Sequence, residues 1–344
     1  MRTRPGLALV GGLAGLVLLL VLLPLVATSF QITIATTVYL FIVLGHAWNI
    51  IGGYGNRLSL GHAAFFAVGA YTSTIILIRW DVPPPIGILA AMAVSCVLAI
   101  AVGFATLRLE GAYFAIATLA IVVLVELLIL QFDDLTEGAR GLVVPFRGHD
   151  PLYLQFGTST PFYYIFLVAA VLTVWLMHRF EGSRLGYRLR AAGQDENAAR
   201  SVGIDTPRVR LRALMISAAV TAAAGTLYAQ YVYVLDPVYL ASVDLSVLIA
   251  VVPVVGGVST VWGPVVAAAV LVPIEQYFRA LLPSTYAGAQ LMLYGVILIL
   301  VLRYRPDGLW GMVTSARHRF TQGRAQNDGA GVAEGTDTAT SHTV

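Results

Sequence analysis

SRLGYRLRAAGQDENAARSVGID, residues 183–205, is a long charged stretch inside an apolar chain, and its contrast with its surroundings decides the fold. Leu185, Leu189, Ala192, Ala199 and Val202 recur at near-heptad spacing, with arginines over the remaining surface. That is the pattern of an amphipathic helix with charge on its wet side. A break is expected at Gly193. Asp195 and Glu196 follow it, where a helix start favours negative charge, and Arg200 stands near the end, where positive charge is favoured. Gly203 fits the C′ position, Ile204 the apolar contact after it, and Pro207 forbids continuation. The stretch reads as two short capped helices held in water between longer apolar segments. Such an element is built to be gripped by a partner.

The surrounding chain is 58% apolar and 11% charged, with a mean hydropathy of +0.81. Soluble domains carry about 25% charged residues, so the expected class is all-α, a polytopic membrane helix bundle of about ten spans with interrupted helices. The spans fall at residues 6–27, 31–51, 59–79, 84–107, 112–131, 161–179, 212–235, 244–259, 263–282 and 287–302. All but 244–259 and 287–302 approach the ~20 residues a bilayer needs. The run at 6–27 is too long for a signal-peptide core and reads as an uncleaved first span. Residues 1–311 form the membrane domain, with a loop at 180–211. Residues 312–344 are rich in Gly, Ala and Thr and read as a disordered tail.

Arginine placement orients the spans. Arg2, Arg4, Arg57, Arg108, the insert, Arg303 and Arg305 fall on one side if the spans alternate. The positive-inside rule makes that side, and both termini, cytoplasmic. Residues 132–160, with Asp133, Asp134, Glu137 and Asp150, then face outward. The net charge of +3 is read by topology rather than as nucleic-acid binding, and all 21 basic residues are arginine. Cys96 is the single cysteine, so no disulfide framework or cysteine metal site is expected. The chain has no GxxxxGK[ST] loop, so no cofactor is expected in it and any ATP must be hydrolysed elsewhere.

Residues 52–71, GGYGNRLSLGHAAFFAVGAY, hold five glycines, each weakening a helix by up to about 1 kcal/mol relative to Ala. Irregular backbone at membrane depth must face protein or a wet cavity, and transporters place binding groups at such breaks. His62 reads either as a hydrogen-bonded structural residue at a helix start or as a path-lining donor. Glu126 and Glu275 are intramembrane acids, each costing about 2.5–3.5 kcal/mol on insertion scales. Glu126 should face the bundle interior. The small residues of SAAVTAAAGTLYA, 217–229, suit close helix packing. VGGVSTVWGP, 255–264, breaks another helix. The two Gly-Gly motifs fall on the same face, so no inverted repeat is read from them.

Several of these stretches resemble one family. The run from Glu196 through Ala198 and Ala199 to Gly203 looks like the coupling loop of bacterial ABC-importer permeases. SRLG at 183–186 and LRA at 189–191 are similar to the M-type permease of branched-chain amino-acid transporters (LivM-like), as are 52–71, LRLEGAYFAIATLA at 107–120 and RPDGLWG at 305–311. Glu110 stands where the family has a base, and TEGARGL, 136–142, replaces its outer TGG-S-GL turn. The resemblance implies an importer subunit with no covalent chemistry in the bacterial inner membrane. Its implied partners are a homologous second permease, two P-loop ATPase subunits that bind the ATP, and an extracytoplasmic substrate-binding protein. Arg184, Gly186, Arg190, Asp195, Glu196, Ala198, Ala199, Arg200 and Gly203 would couple to the ATPases. Ser59, Gly61, His62, Phe65, Tyr71, Tyr113, Glu126, Gly257 and Glu275 would line the translocation path. Rival readings are a urea or short-amide permease of the same kind, and an ion-coupled carrier using Glu126 and Glu275 as proton sites. A hydrolase reading fails because Arg57 occupies the first Gly position of G-x-S-x-G.

Overall fold

The computed structural model describes residues 20–146, 148–281, 292, 295, 296, 303 and 308–311. Eight helices among them are long and apolar enough to cross a membrane. The chain is a polytopic helix bundle, as its composition requires. Residues 1–5, residues 6–19 of the first expected span, most of the span at 287–302, and the tail at 312–344 lie outside the described residues.

Helix α1, Ser29–Asn49, opens on a capping box in which the Gln31 side chain accepts from the Thr28 N–H at 2.9 Å. It continues through one π-helical turn, Ile50–Tyr54. From residue 38 to residue 51 every residue is buried, on all faces of the helix. A helix apolar all round belongs at the centre of a bundle. Around it pack α5 (Thr160–Glu181), α8 (Thr206–Val232), α9 (Val243–Gly256) and α10 (Gly263–Leu281). The short expected span at 244–259 is α9, extended by a helical turn at Pro237–Leu240 to 20 residues from Pro237 to Gly256.

Helices α2 (His62–Trp80) and α8 run side by side in the same direction, as contacts from His62 to Ser217 and from Gly69 to Thr226 require. They meet through small residues. A Cβ on Gly69 would lie 2.2 Å from the Ala222 carbonyl oxygen, and one on Gly225 would lie 2.1 Å from that of Phe66. Thr226 Oγ1 donates to the Gly69 carbonyl at 3.1 Å across the seam. Helix α3 (Pro84–Thr106) packs on both, with Ser95 Oγ donating to the Ala218 carbonyl at 3.1 Å. Helix α4 (Ala112–Gln131) lies at the edge of the group.

The two ends of the bundle differ. At one, strand β1 (Leu142–Val143) pairs antiparallel with β2 (Val234–Leu235), tying the acidic loop to the end of α8. At the other sit the charged insert, the loop at 55–61 and the turn at 257–262. The insert forms α6 (Arg184–Gln194) and α7 (Glu196–Ser201). A separate apolar cluster including Ile51, Tyr54, Met177, Leu189, Val209 and Val261 anchors it to the bundle.

Candidate functional site

The local chemistry of the insert is largely as expected, with one shift. Gly193 does not break the helix but lies inside α6; the break is at Asp195. Gly193 is small because a Cβ there would stand 2.8 Å from the Tyr54 carbonyl oxygen. Asp195 caps α7, its Oδ1 accepting from the amides of Asn197 and Ala198 at 2.9 and 3.0 Å. At the far end Gly203 N–H donates to the Arg200 carbonyl and Ile204 N–H to the Ala199 carbonyl, each at 3.0 Å. These two bonds make a Schellman motif around a glycine at φ +83°. Gly203→Ala should therefore cost about 1–2 kcal/mol, the price of a left-handed L-residue. Faster hydrogen exchange confined to the end of α7 would show it, and an unchanged Ile204 amide would refute it.

Glu196 is the centre of the site. Its Oε2 accepts from Arg57 Nη2 at 3.0 Å and from Arg210 Nη1. Its Oε1 accepts from Arg200 Nη2 and, at 3.0 Å, from Thr206 Oγ1. Arg57 lies in the loop before α2 and also donates to the Leu109 carbonyl; Arg210 lies on α8 and also donates to that of Ala192 at 3.0 Å. One carboxylate thus joins α7 to two separate parts of the chain, the loop before α2 and the start of α8. The side chains of Arg57 and Arg210 are only 9% and 5% exposed. Burial pushes the Glu196 carboxyl upward, but Arg210, Thr206 and Arg200 outweigh it and hold the group down at about 2.

The remaining expected coupling residues divide by face. Arg184 and Ala198 are exposed, whereas Gly186 and Ala199 are buried. Arg190 pairs with Glu181 at 3.0 Å and lies over the Tyr54 ring at 5.0 Å. Val202 does not join the buried stripe of Leu189, Ala192 and Ala199; it is 75% exposed. With Ala198 four residues earlier, it forms a small apolar patch on the outer face of α7.

The expected path residues are mostly interior. Ser59, His62, Phe65 and Tyr71 are all buried, Phe65 against Ala99 and Val102 of α3 and Leu214 and Ala218 of α8, and Tyr71 with its hydroxyl donating to the Leu235 carbonyl at 3.3 Å. His62 Nε2 meets Ser217 Oγ at 2.9 Å, and Ser217 Oγ donates to the Ala47 carbonyl at 2.6 Å. Gly61 is the N-cap of α2, close against Thr118 of α4. Tyr113 lies on the outer surface and Glu126 is half-buried. Gly257, at φ +116°, ends α9, and its turn is clasped by α1: Asn49 Oδ1 accepts from Ser259 N–H, and Asn49 Nδ2 donates to the Thr260 carbonyl, both at 2.9 Å. Trp310 stacks on Trp262 with ring centres 6.2 Å apart, docking the described part of residues 305–311 on that turn. Glu275 is buried and pairs with Arg279, one helical turn on, at 3.3 Å.

Residues 30–302 match the family described as the branched-chain amino acid transport system permease component. This chain belongs to that family. It is 29% identical to the high-affinity branched-chain amino acid transport system permease protein LivM of Escherichia coli (strain K12), over 92% of this chain and 78% of that protein. It is also 26% identical to LivH of the same strain, over 81% of this chain and 93% of that one, and 26% identical to a probable LivM of Methanocaldococcus jannaschii over 75% and 80%. No solved structure matches it.

In this permease, sequence reasoning missed Arg57, Thr206, Arg210 and Val202. In the sequence Arg57 serves only to orient the spans and to exclude a hydrolase motif. A signal for the arginines existed: Glu196 stands three positions before Ala199 of the apolar stripe, and an acid on that side of a helix needs cations. The Glu275–Arg279 pair was legible from i,i+4 spacing alone.

Proposed function

We propose that this chain is the membrane-spanning subunit of an ATP-driven importer for branched-chain or related aliphatic amino acids. The observation that carries the reading is the Glu196 junction, which fastens a capped, outward-facing helix to the loop before α2 and to α8 at once. A push on α7 from a nucleotide-binding partner reaches both helices of the closely packed α2–α8 pair. Two ATPase subunits would grip α7 and its counterpart on a homologous second permease, biasing the pair of bundles between two states through differential contacts. That LivM and LivH both match this one chain supports pairing between homologous permeases. An extracytoplasmic binding protein would deliver the amino acid at the β1–β2 end.

The orientation follows from charge. Arg57, Arg108 and the arginines of the insert gather at one end of the bundle, while the acidic loop from Asp133 lies at the other. The insert end is therefore the cytoplasmic end, in the inner membrane of a bacterium.

The test is Val202→Glu in the reconstituted transporter. Val202 makes no buried contact to lose, so the permease should assemble normally. ATP-driven leucine uptake should fall about tenfold or more, within the range of coupling energies between sites. Undiminished uptake in V202E would place the ATPase contact elsewhere. Ala199 is the wrong position for this test, because its side chain faces the bundle.

A further inference from the structure

Helices α5 and α8 both pack on α1, and between them runs a cleft of about 340 Å³. Its walls are apolar: Leu176 and Phe180 of α5, Leu185 of α6, and Ile216 and Val220 of α8, over a floor that includes Ile50. Leu176 is 44% exposed and Ile216 39%, so the described residues leave the cleft open on its outer side. That side meets hydrocarbon, because both residues lie inside membrane spans. The end of the cleft nearest the insert has a different character. Arg179, in the last turn of α5, borders it there. On α8, Arg212, Ile216 and Val220 follow at i, i+4 and i+8, so Arg212 continues the same face one turn beyond the apolar wall. Both arginines are exposed, and neither has a carboxylate partner among the described residues. Arg179 Cζ stands 5.6 Å from the centre of the Trp175 ring, a contact with the ring face that leaves the in-plane N–H donors available.

An apolar cleft at membrane depth with two cations at its mouth is complementary to a molecule with an apolar tail and an anionic head. We propose that it binds an anionic phospholipid of the cytoplasmic leaflet, one acyl chain lying between Leu176 and Ile216 and the phosphate on Arg179 and Arg212. Arginine suits the role, since its planar fork holds two phosphate oxygens at once. Basic sites between spans on the cytoplasmic side are where anionic headgroups are held. Trp175, 53% exposed beside Arg179, marks the headgroup level, where indole rings collect. Free phosphate would meet the same arginines but would leave the apolar walls uncovered, so the lipid is the occupant. The position has a consequence. The insert hangs between α5 and α8, and Leu185 belongs to the insert itself. A lipid seated here ties the two supports of the insert together and stiffens the element that carries α7.

The experiment is native mass spectrometry of the purified, assembled transporter in detergent, titrated with dioleoylphosphatidylglycerol or with dioleoylphosphatidylcholine. Saturable binding of phosphatidylglycerol is expected, with phosphatidylcholine weaker. Glycerol 3-phosphate, a headgroup without chains, should not displace the lipid; displacement would identify a site for free phosphate. Arg179→Gln combined with Arg212→Gln should weaken the site about thirtyfold, about fivefold for each arginine beside an anionic headgroup. Arg108→Gln, which removes an exposed arginine elsewhere, should leave the affinity unchanged. Ile216→Trp should remove the bound lipid by filling the cleft. The exposure of Ile216 gives the larger ring room, and an unchanged melting temperature verifies folding. Leu176→Trp serves if I216W does not fold. Equal affinity for the two lipids, displacement by glycerol 3-phosphate, an equal loss in R108Q, or wild-type binding in both R179Q/R212Q and the Trp variant overturns the site. Absence of saturable binding, as when another subunit covers the cleft, overturns it too. The measurement uses neither ATP nor a transported solute, so its outcome is independent of the importer reading.

Discussion

Glu196→Ala should abolish coupled transport and loosen the insert. Removing the carboxylate strands Arg57 and Arg210, both nearly buried, beside one another with no anion between them. Orphaning a buried charge costs about 3–5 kcal/mol. The Glu196 side chain keeps 19% of its surface exposed, so the expected loss is smaller, roughly 2–4 kcal/mol. It should be read as faster hydrogen exchange across α6 and α7, with the core of α1 unaffected. Wild-type exchange in E196A would remove the junction from the account.

The same group predicts a pH dependence. Its folded value of about 2 lies below the ordinary 4.5, so the folded state favours the ionised form. The stabilisation is complete above pH 4.5, shrinks as pH falls from 4.5, and is gone below about 2. Exchange of the α7 amides should therefore quicken over that window in the wild type. In Glu196→Gln the α7 contribution to this dependence should vanish.

The second large effect is expected at the α2–α8 seam. Gly225→Val should prevent stable folding, because the new Cβ meets the backbone oxygen of Phe66 at 2.1 Å and no rotamer relieves a backbone clash. Overpacking typically costs about 1–3 kcal/mol, and here the closely packed α2–α8 seam must open along its length. Gly69→Ala meets Ala222 backbone in the same way from the other side. The double variant G69A/G225A should lose less than the sum of the singles, since one separation relieves both contacts. Melting temperatures in detergent decide it, and a wild-type melt for G225V would contradict the close approach.

The elements legible in the chain were those whose cause is local. A span is a run of apolar residues, and a cap is a side chain three or four positions from the amide it satisfies. Thus α7, its Asp195 cap and its Gly203 terminus are legible directly, and the i,i+4 spacing carries the Glu275–Arg279 pair. The position of the break before α7 was misplaced by two residues because a glycine can serve either flexibility or close approach. At Gly193 it serves close approach to Tyr54, and nothing nearby in the chain reveals Tyr54.

By itself the amino-acid order determined that this permease crosses a membrane many times and carries one amphipathic, capped insert between spans. Only the tertiary structure decided that Ala198 and Val202 face out while Ala199 faces in, and that Glu196 reaches Arg57, 139 positions away. It also decided that His62 and Ser59 are held within the helix packing and that α5 and α8 leave a cleft between them with Arg179 at its mouth. The reason is physical. Apolar runs and caps depend on neighbours along one helix, whereas burial and charge pairing in a bundle depend on which distant surfaces exclude water together.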